Sequence, residues 1–159
     1  MSKPLDTLLT VPALSRALRV FYLNERERKD IASVAAGRPV NLAELPNGVP
    51  TAECTVQHWD EKEVEVLYLA RLAPRKRPTM FVEAAQALSA DYPDVKFALV
   101  GPDESEGEAV SRHILQAREC GTTISWEGPI PASETIARMT QAAMYVLPAI
   151  DEPYPMAVL

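Results

Sequence analysis

The sequence predicts an α/β fold: a parallel sheet with helices packed on both faces. Three observations lead there. Short apolar runs alternate with helical patterns, and the connections between them are short. The runs VEVLYL (64–69) and KFALV (96–100) are almost continuously apolar, which suits strands buried on both faces. The 14 prolines fall between these runs rather than inside them, so they punctuate many short elements.

ALRVFYL (17–23) reads as a strand and NERERKDIASVAAG (24–37) as a helix closed by Gly37. PVNLAELPNGVP (39–50) reads as a short strand entering a turn, with Asn47-Gly48 expected to supply positive φ. TAECTVQHWDEKE (51–63) is polar and weakly periodic, so a loop is expected. VEVLYL then forms a strand. In PTMFVEAAQALSADYP (78–93), Phe81, Ala84, Ala85 and Leu88 recur at helical spacing and predict an amphipathic helix.

VKFALV (95–100) is the next strand. SEGEAVSRHILQAREC (105–120) is a helix with Val110, Ile114 and Ala117 on one face and Gly121 at its end. TTISW (122–126) is a strand. SETIARMTQAA (133–143) is a helix with Ser133 as its expected N-cap and Ile136, Met139, Thr140 and Ala143 as its stripe. MYVLP (144–148) closes the series as a strand.

Composition bounds the function. The 159 residues suit one domain, or one domain and part of another. No run approaches the length of a membrane-spanning helix. Asp6 interrupts the apolar N-terminus and no small-residue cleavage site follows, which argues against a secretory signal. A net charge of −6 argues against nucleic acid as a partner, while leaving room for a local anion site. Cys54 and Cys120 lack CxxC spacing and read as reduced cytosolic thiols. His58 and His113 lie near no nucleophile or metal pattern, and read as surface or boundary residues.

Ligands of open parallel sheets bind beyond the carboxyl ends of the strands, so the residues there carry the functional reading. VEVLYL is followed by ARLAPRKRP. Arg71, Arg75, Lys76 and Arg77 put four cations into seven residues of an acidic protein, just ahead of a helix N-terminus. Guanidinium forks, an ammonium point charge and free helix N–H groups suit a phosphate. A solvated basic loop is the plainer alternative. KFALV is followed by GPDESEGE, where Gly101 permits close backbone approach and Asp103, Glu104, Glu106 and Glu108 read as caps of the next helix. TTISW is followed by EGPIP, and MYVLP by AIDEPYPM. A carboxylate such as Glu152 accepts hydrogen bonds from hydroxyls, so cations and glutamate together suit a ligand with an anionic and a hydroxylated end. An exposed turn residue is the alternative for Glu152.

Five segments in order carry a more specific likeness: LPNGVP (45–50), YLARLAPRKRP (68–78), FALVGPDE (97–104), ISWEGPIP (124–131) and AAMYVLPAIDEPYPMAVL (142–159). Together they resemble the C-terminal, donor-binding half of family 4 glycosyltransferases of the GT-B fold. The resemblance implies a Rossmann-like parallel sheet and a nucleotide-sugar-binding domain over residues 41–159, lacking its C-terminal end. RVFYLNERERKDI (19–31) resembles the last strand and helix of the acceptor domain, so residues 1–40 are expected to be a remnant of that domain and linker. Counting from Glu152, the second glutamate of an E-x7-E motif falls one position past Leu159. The resemblance implies a donor site cut within that motif, a sheet with an exposed edge and an uncovered apolar face.

The implied activity is transfer of a sugar from a UDP- or GDP-linked donor to an unknown sugar, lipid or small-molecule acceptor, with retention of configuration. By the resemblance, Arg71 and Lys76 hold the diphosphate and stabilise its departure, with no metal required. Glu152 contacts sugar hydroxyls. Tyr154, Pro155 and Met156 shape the sugar pocket, the backbone N–H groups of Met156 and Ala157 lie near sugar or phosphate, the backbone at Gly128 and Ile130 meets the nucleobase, and Gly101 admits the donor. Ala70, Pro155 and Ala149 depart from the family pattern of glycine, glycine and serine. A non-catalytic nucleotide-binding module or inactive fragment is the alternative; a sugar-nucleotide epimerase of the same fold fits the Arg/Lys and Glu-Pro-aromatic pattern less well. The expected location is cytoplasmic, with peripheral membrane association open for a full-length enzyme.

Overall fold

A computed structural model describes residues 6–48 and 63–152. The chain divides into two compact units, Met1–Ala52 with Glu152–Leu159, and Glu53–Asp151. Residue 40 lies inside the first unit, ahead of β2, which pairs with β1.

In the first unit a π-helical turn, Asp6–Thr10, leads into α1, Val11–Arg16. The apolar N-terminal patch thus forms a helix that periodicity alone did not assign. β1 (Val20–Tyr22), α2 (Glu25–Ala35) and β2 (Leu42–Glu44) make one βαβ unit with parallel strands. Helix α2 starts in a capping box. The Asn24 side chain accepts from the Glu27 N–H at 2.9 Å, and the Glu27 carboxylate accepts from the Leu23 N–H at 2.7 Å. Ala36 and Gly37, both left-handed, end the helix as expected. Neither Asn47 nor Gly48 takes the positive φ expected there.

The second unit is built on a four-stranded parallel sheet. Its elements are β3 (Glu63–Leu69), α3 (Pro78–Leu88), β4 (Lys96–Val100), α4 (Gly107–Glu119), β5 (Ile124–Trp126), α5 (Thr135–Gln141) and β6 (Ala142–Tyr145). The strand order is β5-β4-β3-β6, all parallel. Period-two alternation sorts the core. Tyr68, Phe97 and Leu99 pack with Phe81, Val82 and Ala85 of α3 and with Val110, Ile114 and Ala117 of α4. Leu67, Leu69, Ala98 and Val100 face the other way, toward Met139 of α5. Helices therefore cover both faces, as predicted.

The rings of Tyr68, Phe81 and Phe97 form a chain of tilted and edge-on contacts, with centroids 5.6 and 6.2 Å apart. Burying each such side chain contributes roughly 1.5–3 kcal/mol. Helix α5 differs from expectation at its start. A 3-10 turn, Ala132–Glu134, precedes it, and no side chain caps it, so Ser133 is not its N-cap. Beside α3 the sheet leaves an open apolar groove rimmed by Val64, Leu88, Tyr92 and Met144, all more than two-fifths exposed. Among the described residues no helix is long and apolar enough to cross a membrane.

Candidate functional site

After β3 the chain steps to β4 and β5 on one side, then returns to the far side of β3 to form β6. That reversal makes the carboxyl ends of β3 and β6 a topological switch point, the place where open α/β sheets take their ligands.

The basic loop after β3 is anchored at alternate points. Leu72, Ala73 and Pro78 are buried, while Arg71 and Arg75 are exposed and Lys76 and Arg77 half-buried. The Arg71 carbonyl accepts from the Tyr68 hydroxyl at 3.2 Å and from the Ala73 N–H at 2.9 Å. Pro74–Lys76 forms a 3-10 turn, Arg77 is left-handed, and Pro78 occupies the first turn of α3, where its missing N–H costs nothing. The cations thus project from a fixed backbone at the positive end of an 11-residue helix.

The loop after β6 closes the other side. The Val146 N–H donates to the Leu67 carbonyl at 2.9 Å, extending the pairing past β6. The Ile150 N–H then donates to the Arg75 carbonyl, also at 2.9 Å, so this loop is tied directly to the basic turn. Arg77, Ser105 and Asp151 take left-handed φ values of 52, 82 and 50°, one in each loop after β3, β4 and β6. Non-glycine residues cost about 1 kcal/mol or more in that region, and such strain gathers at ligand sites.

The loop after β4 is fastened to its neighbours by backbone. The Leu72 N–H donates to Pro102, and the N–H groups of Glu104 and Glu106 both donate to Leu72. The Gly101 N–H donates to the Gly128 carbonyl at 2.8 Å, and the Gly101 carbonyl accepts from the Trp126 indole at 3.0 Å. A Cβ on Gly101 would lie 2.0 Å from the Ala70 carbonyl oxygen, at a φ of +147°. The strand ends themselves require glycine here, whatever a ligand requires.

The acidic residues of this loop divide their work. Asp103 caps α4 as expected, accepting from the Gly107 N–H at 2.8 Å. Glu106 makes no side-chain cap bond, and Glu104 does not cap at all: its carboxylate accepts from the Arg71 guanidinium at 2.5 Å. The tertiary pairing wins over the local cap because backbone bonds set Glu104 beside Arg71.

Of the sequence-predicted site residues, Arg71, Lys76, Gly101, Gly128 and Ile130 all lie in loops following strands of this unit. Gly128 has a φ of 79°, and the Ile130 side chain packs in the core with Leu67 and Val100. Glu152 belongs to the other compact unit. Tyr154, Pro155, Met156 and Ala157 lie outside the described residues, as do Cys54 and His58. Cys120 is exposed, and His113 contacts the Ala109 carbonyl through Nδ1. Among the described residues no cluster of three His, Cys, Asp or Glu could hold a metal.

Sequence reading missed the clamps behind the site. The Tyr68, Tyr145 and Trp126 polar tips bind the carbonyls of Arg71, Leu69 and Gly101. Their signal was present: aromatic residues with a polar tip at strand positions, which when buried need a partner. Burial pushes the Tyr68 phenol well above its ordinary value of 10.0, helped by repulsion from Tyr145 once that phenol ionises and from the Glu106 carboxylate.

Comparison with known proteins adds to this geometry. Residues 53–159 match the profile of the family described as "Glycosyl transferases group 1". No curated protein sequence matches the chain. A point mutant of S. aureus TarM, solved with fondaparinux, alpha-GlcNAc-glycerol and UDP, superposes with a TM-score of 0.76 at 18% identity, over 92% of this chain and 28% of that one. The pneumococcal O-GlcNAc transferase GtfA, with UDP and GlcNAc, gives 0.71 at 15% identity, over 88% and 27%. Anabaena HepE, with UDP and glucose, gives 0.69 at 15% identity, over 99% and 45%. The chain therefore spans between about a quarter and a half of the length of these proteins.

Proposed function

The chain belongs to the glycosyl transferases group 1 family, and from that premise we propose that its larger unit binds the nucleoside-diphosphate end of an activated sugar and serves the transfer of that sugar to an acceptor. One observation carries the reading. The basic loop, Arg71 to Lys76, is pinned by buried Leu72 and Pro78 and tied to the β6 loop through Arg75 and Ile150. Its cations follow β3 at the point where the strand order reverses.

In this reading Arg71 and Lys76 hold the diphosphate. Their charge is of most use as the bond to the sugar breaks, when negative charge gathers on the departing diphosphate. The two cations do this from a preset backbone, with no metal required. Gly101 and Gly128 keep side chains out of the way of the donor, and the backbone around Ile130 meets the nucleobase. Glu152 accepts from sugar hydroxyls, with Tyr154, Pro155, Met156 and Ala157 around the sugar. Transfer proceeds with retention of configuration. Similar folds solved with UDP make UDP the first nucleotide to test, ahead of GDP.

The test is calorimetric titration of UDP into the chain and into the Arg71→Ala/Lys76→Ala double variant. Each charge-assisted contact is worth roughly 1.5–3 kcal/mol, so the double variant should lose at least tenfold in affinity. Equal affinity in both would refute the reading.

A further inference from the structure

The guanidinium proposed to hold the diphosphate already holds a carboxylate. We propose that Glu104 is a built-in competitor for Arg71, displaced when a diphosphate binds and retaking Arg71 as it leaves. This deepens the proposed function and rests on it.

Backbone geometry makes the pair a feature of the fold rather than a chance meeting of long side chains. Beyond their paired strands, β3 and β4 continue side by side, with a bridge between Leu72 and Asp103. Ala70 donates to Val100, Leu72 to Pro102, and Glu104 back to Leu72, at 3.0, 2.9 and 3.1 Å. Ser105, left-handed at a φ of 82°, then turns the chain toward α4. This register fixes the backbones of Arg71 and Glu104 next to each other, and their side chains meet at 2.5 Å.

The pair is also exchangeable. The two side chains are 53% and 44% exposed, so water and solutes reach both partners. Such a pair is weak in high dielectric and gives way readily to a stronger anion. A diphosphate carries more charge than one carboxylate and can engage Arg71, Lys76 and the α3 amino end together. Glu104 offers Arg71 only one carboxylate, and it stays tethered when the anion departs. Glu104 therefore keeps the arginine neutralised in the empty site, weakens capture of stray anions and speeds product release. It is a positioning residue, acting on the ligand through Arg71.

The test uses Glu104→Gln, which keeps size and removes charge, in the full chain with and without Arg71→Ala. Inorganic pyrophosphate and UDP are the probes, with affinity read by calorimetry and UDP dissociation by stopped flow. Glu104→Gln should tighten both probes by about two- to fivefold, mainly through slower dissociation. With Arg71→Ala the same change should have no effect. Unaltered binding in Glu104→Gln, while Arg71→Ala alone weakens it, overturns the competitor but leaves the diphosphate site standing. Equal tightening with and without Arg71 also overturns it, because Glu104 then acts as general negative charge. If Arg71→Ala does not weaken binding, the diphosphate reading fails and the competitor fails with it.

Discussion

Arg138 of α5 reaches across to Glu65 of β3 and grips both its carboxylate oxygens, at 2.7 and 3.1 Å. The same guanidinium binds Glu127, just beyond β5, at 2.7 and 3.0 Å. One arginine thus fastens α5 to β3 and to the loop after β5. The side chains of Arg138 and Glu65 are only 13% and 14% exposed, so this pair is largely withdrawn from water, while Glu127 is exposed. The two carboxylates hold Arg138 far above its already high ordinary value, so it stays charged at every working pH.

Removing one member of such a cluster is worse than removing two. Arg138→Met should destabilise the protein by roughly 2–4 kcal/mol, because it leaves Glu65 withdrawn from water without a counter-charge. Adding Glu65→Leu should recover part of that loss. Urea denaturation of the two variants checks the order; a double variant weaker than the single one contradicts it.

Gly101 and Gly128 both take positive φ, yet their substitutions should differ. Gly101→Ala forces a Cβ onto the Ala70 carbonyl oxygen at 2.0 Å, where only backbone movement can relieve it. Gly128→Ala meets nothing within 4 Å and faces only the conformational penalty. Expected losses are about 3 kcal/mol or more for the first and about 1–2 kcal/mol for the second. Comparable denaturation midpoints would show that the β3 and β4 ends separate easily.

Tyr68 links stability to alkaline pH. Its folded value is raised above the ordinary 10.0, so the native state holds the phenolic proton more tightly than the unfolded chain. The contribution is therefore complete below about pH 10 and declines as pH rises further, with a slope approaching roughly 1.4 kcal/mol per unit. Melting temperatures followed from about pH 9 to 11 should fall less steeply in Tyr68→Phe than in the parent. Parallel curves would mean that Tyr68 ionises as readily in the folded protein.

Glu152 should separate sugar from nucleotide. Glu152→Gln should leave UDP affinity within about twofold and weaken UDP-glucose or UDP-N-acetylglucosamine about tenfold, since the proposed partners of Glu152 are hydroxyls of the transferred sugar, which UDP lacks. A matching loss for UDP alone would move Glu152 from the sugar to the diphosphate.

Much of the fold was legible because burial leaves a mark in the pattern. VEVLYL and KFALV announced strands covered on both faces, and Tyr68, Phe97 and Leu99 do pack opposite Leu67, Ala98 and Val100. Val110, Ile114 and Ala117 announced the inner face of α4, and all three are buried. Local choices were harder to read. Ser133 looked like a cap, but the chain enters α5 through a 3-10 turn instead. Asn47-Gly48 looked like a tight turn, but neither residue is left-handed. Side-chain chemistry permits such local structures; neighbouring backbone decides whether they form.

For the candidate site, sequence alone determined the chemistry on offer: a basic stretch after one strand, a glycine after the next, and the family to which those segments belong. Tertiary structure decided which partners that chemistry meets. Glu104 stands 33 positions from Arg71, and Glu65 stands 73 from Arg138. No helical or strand period relates residues so far apart. Parallel register brings Glu104 to Arg71, and the return of β6 to the far side of β3 lays α5, with its arginine, across the sheet. Periodicity is a local property that sequence carries directly, whereas a charge pair across strands exists only once the register is set.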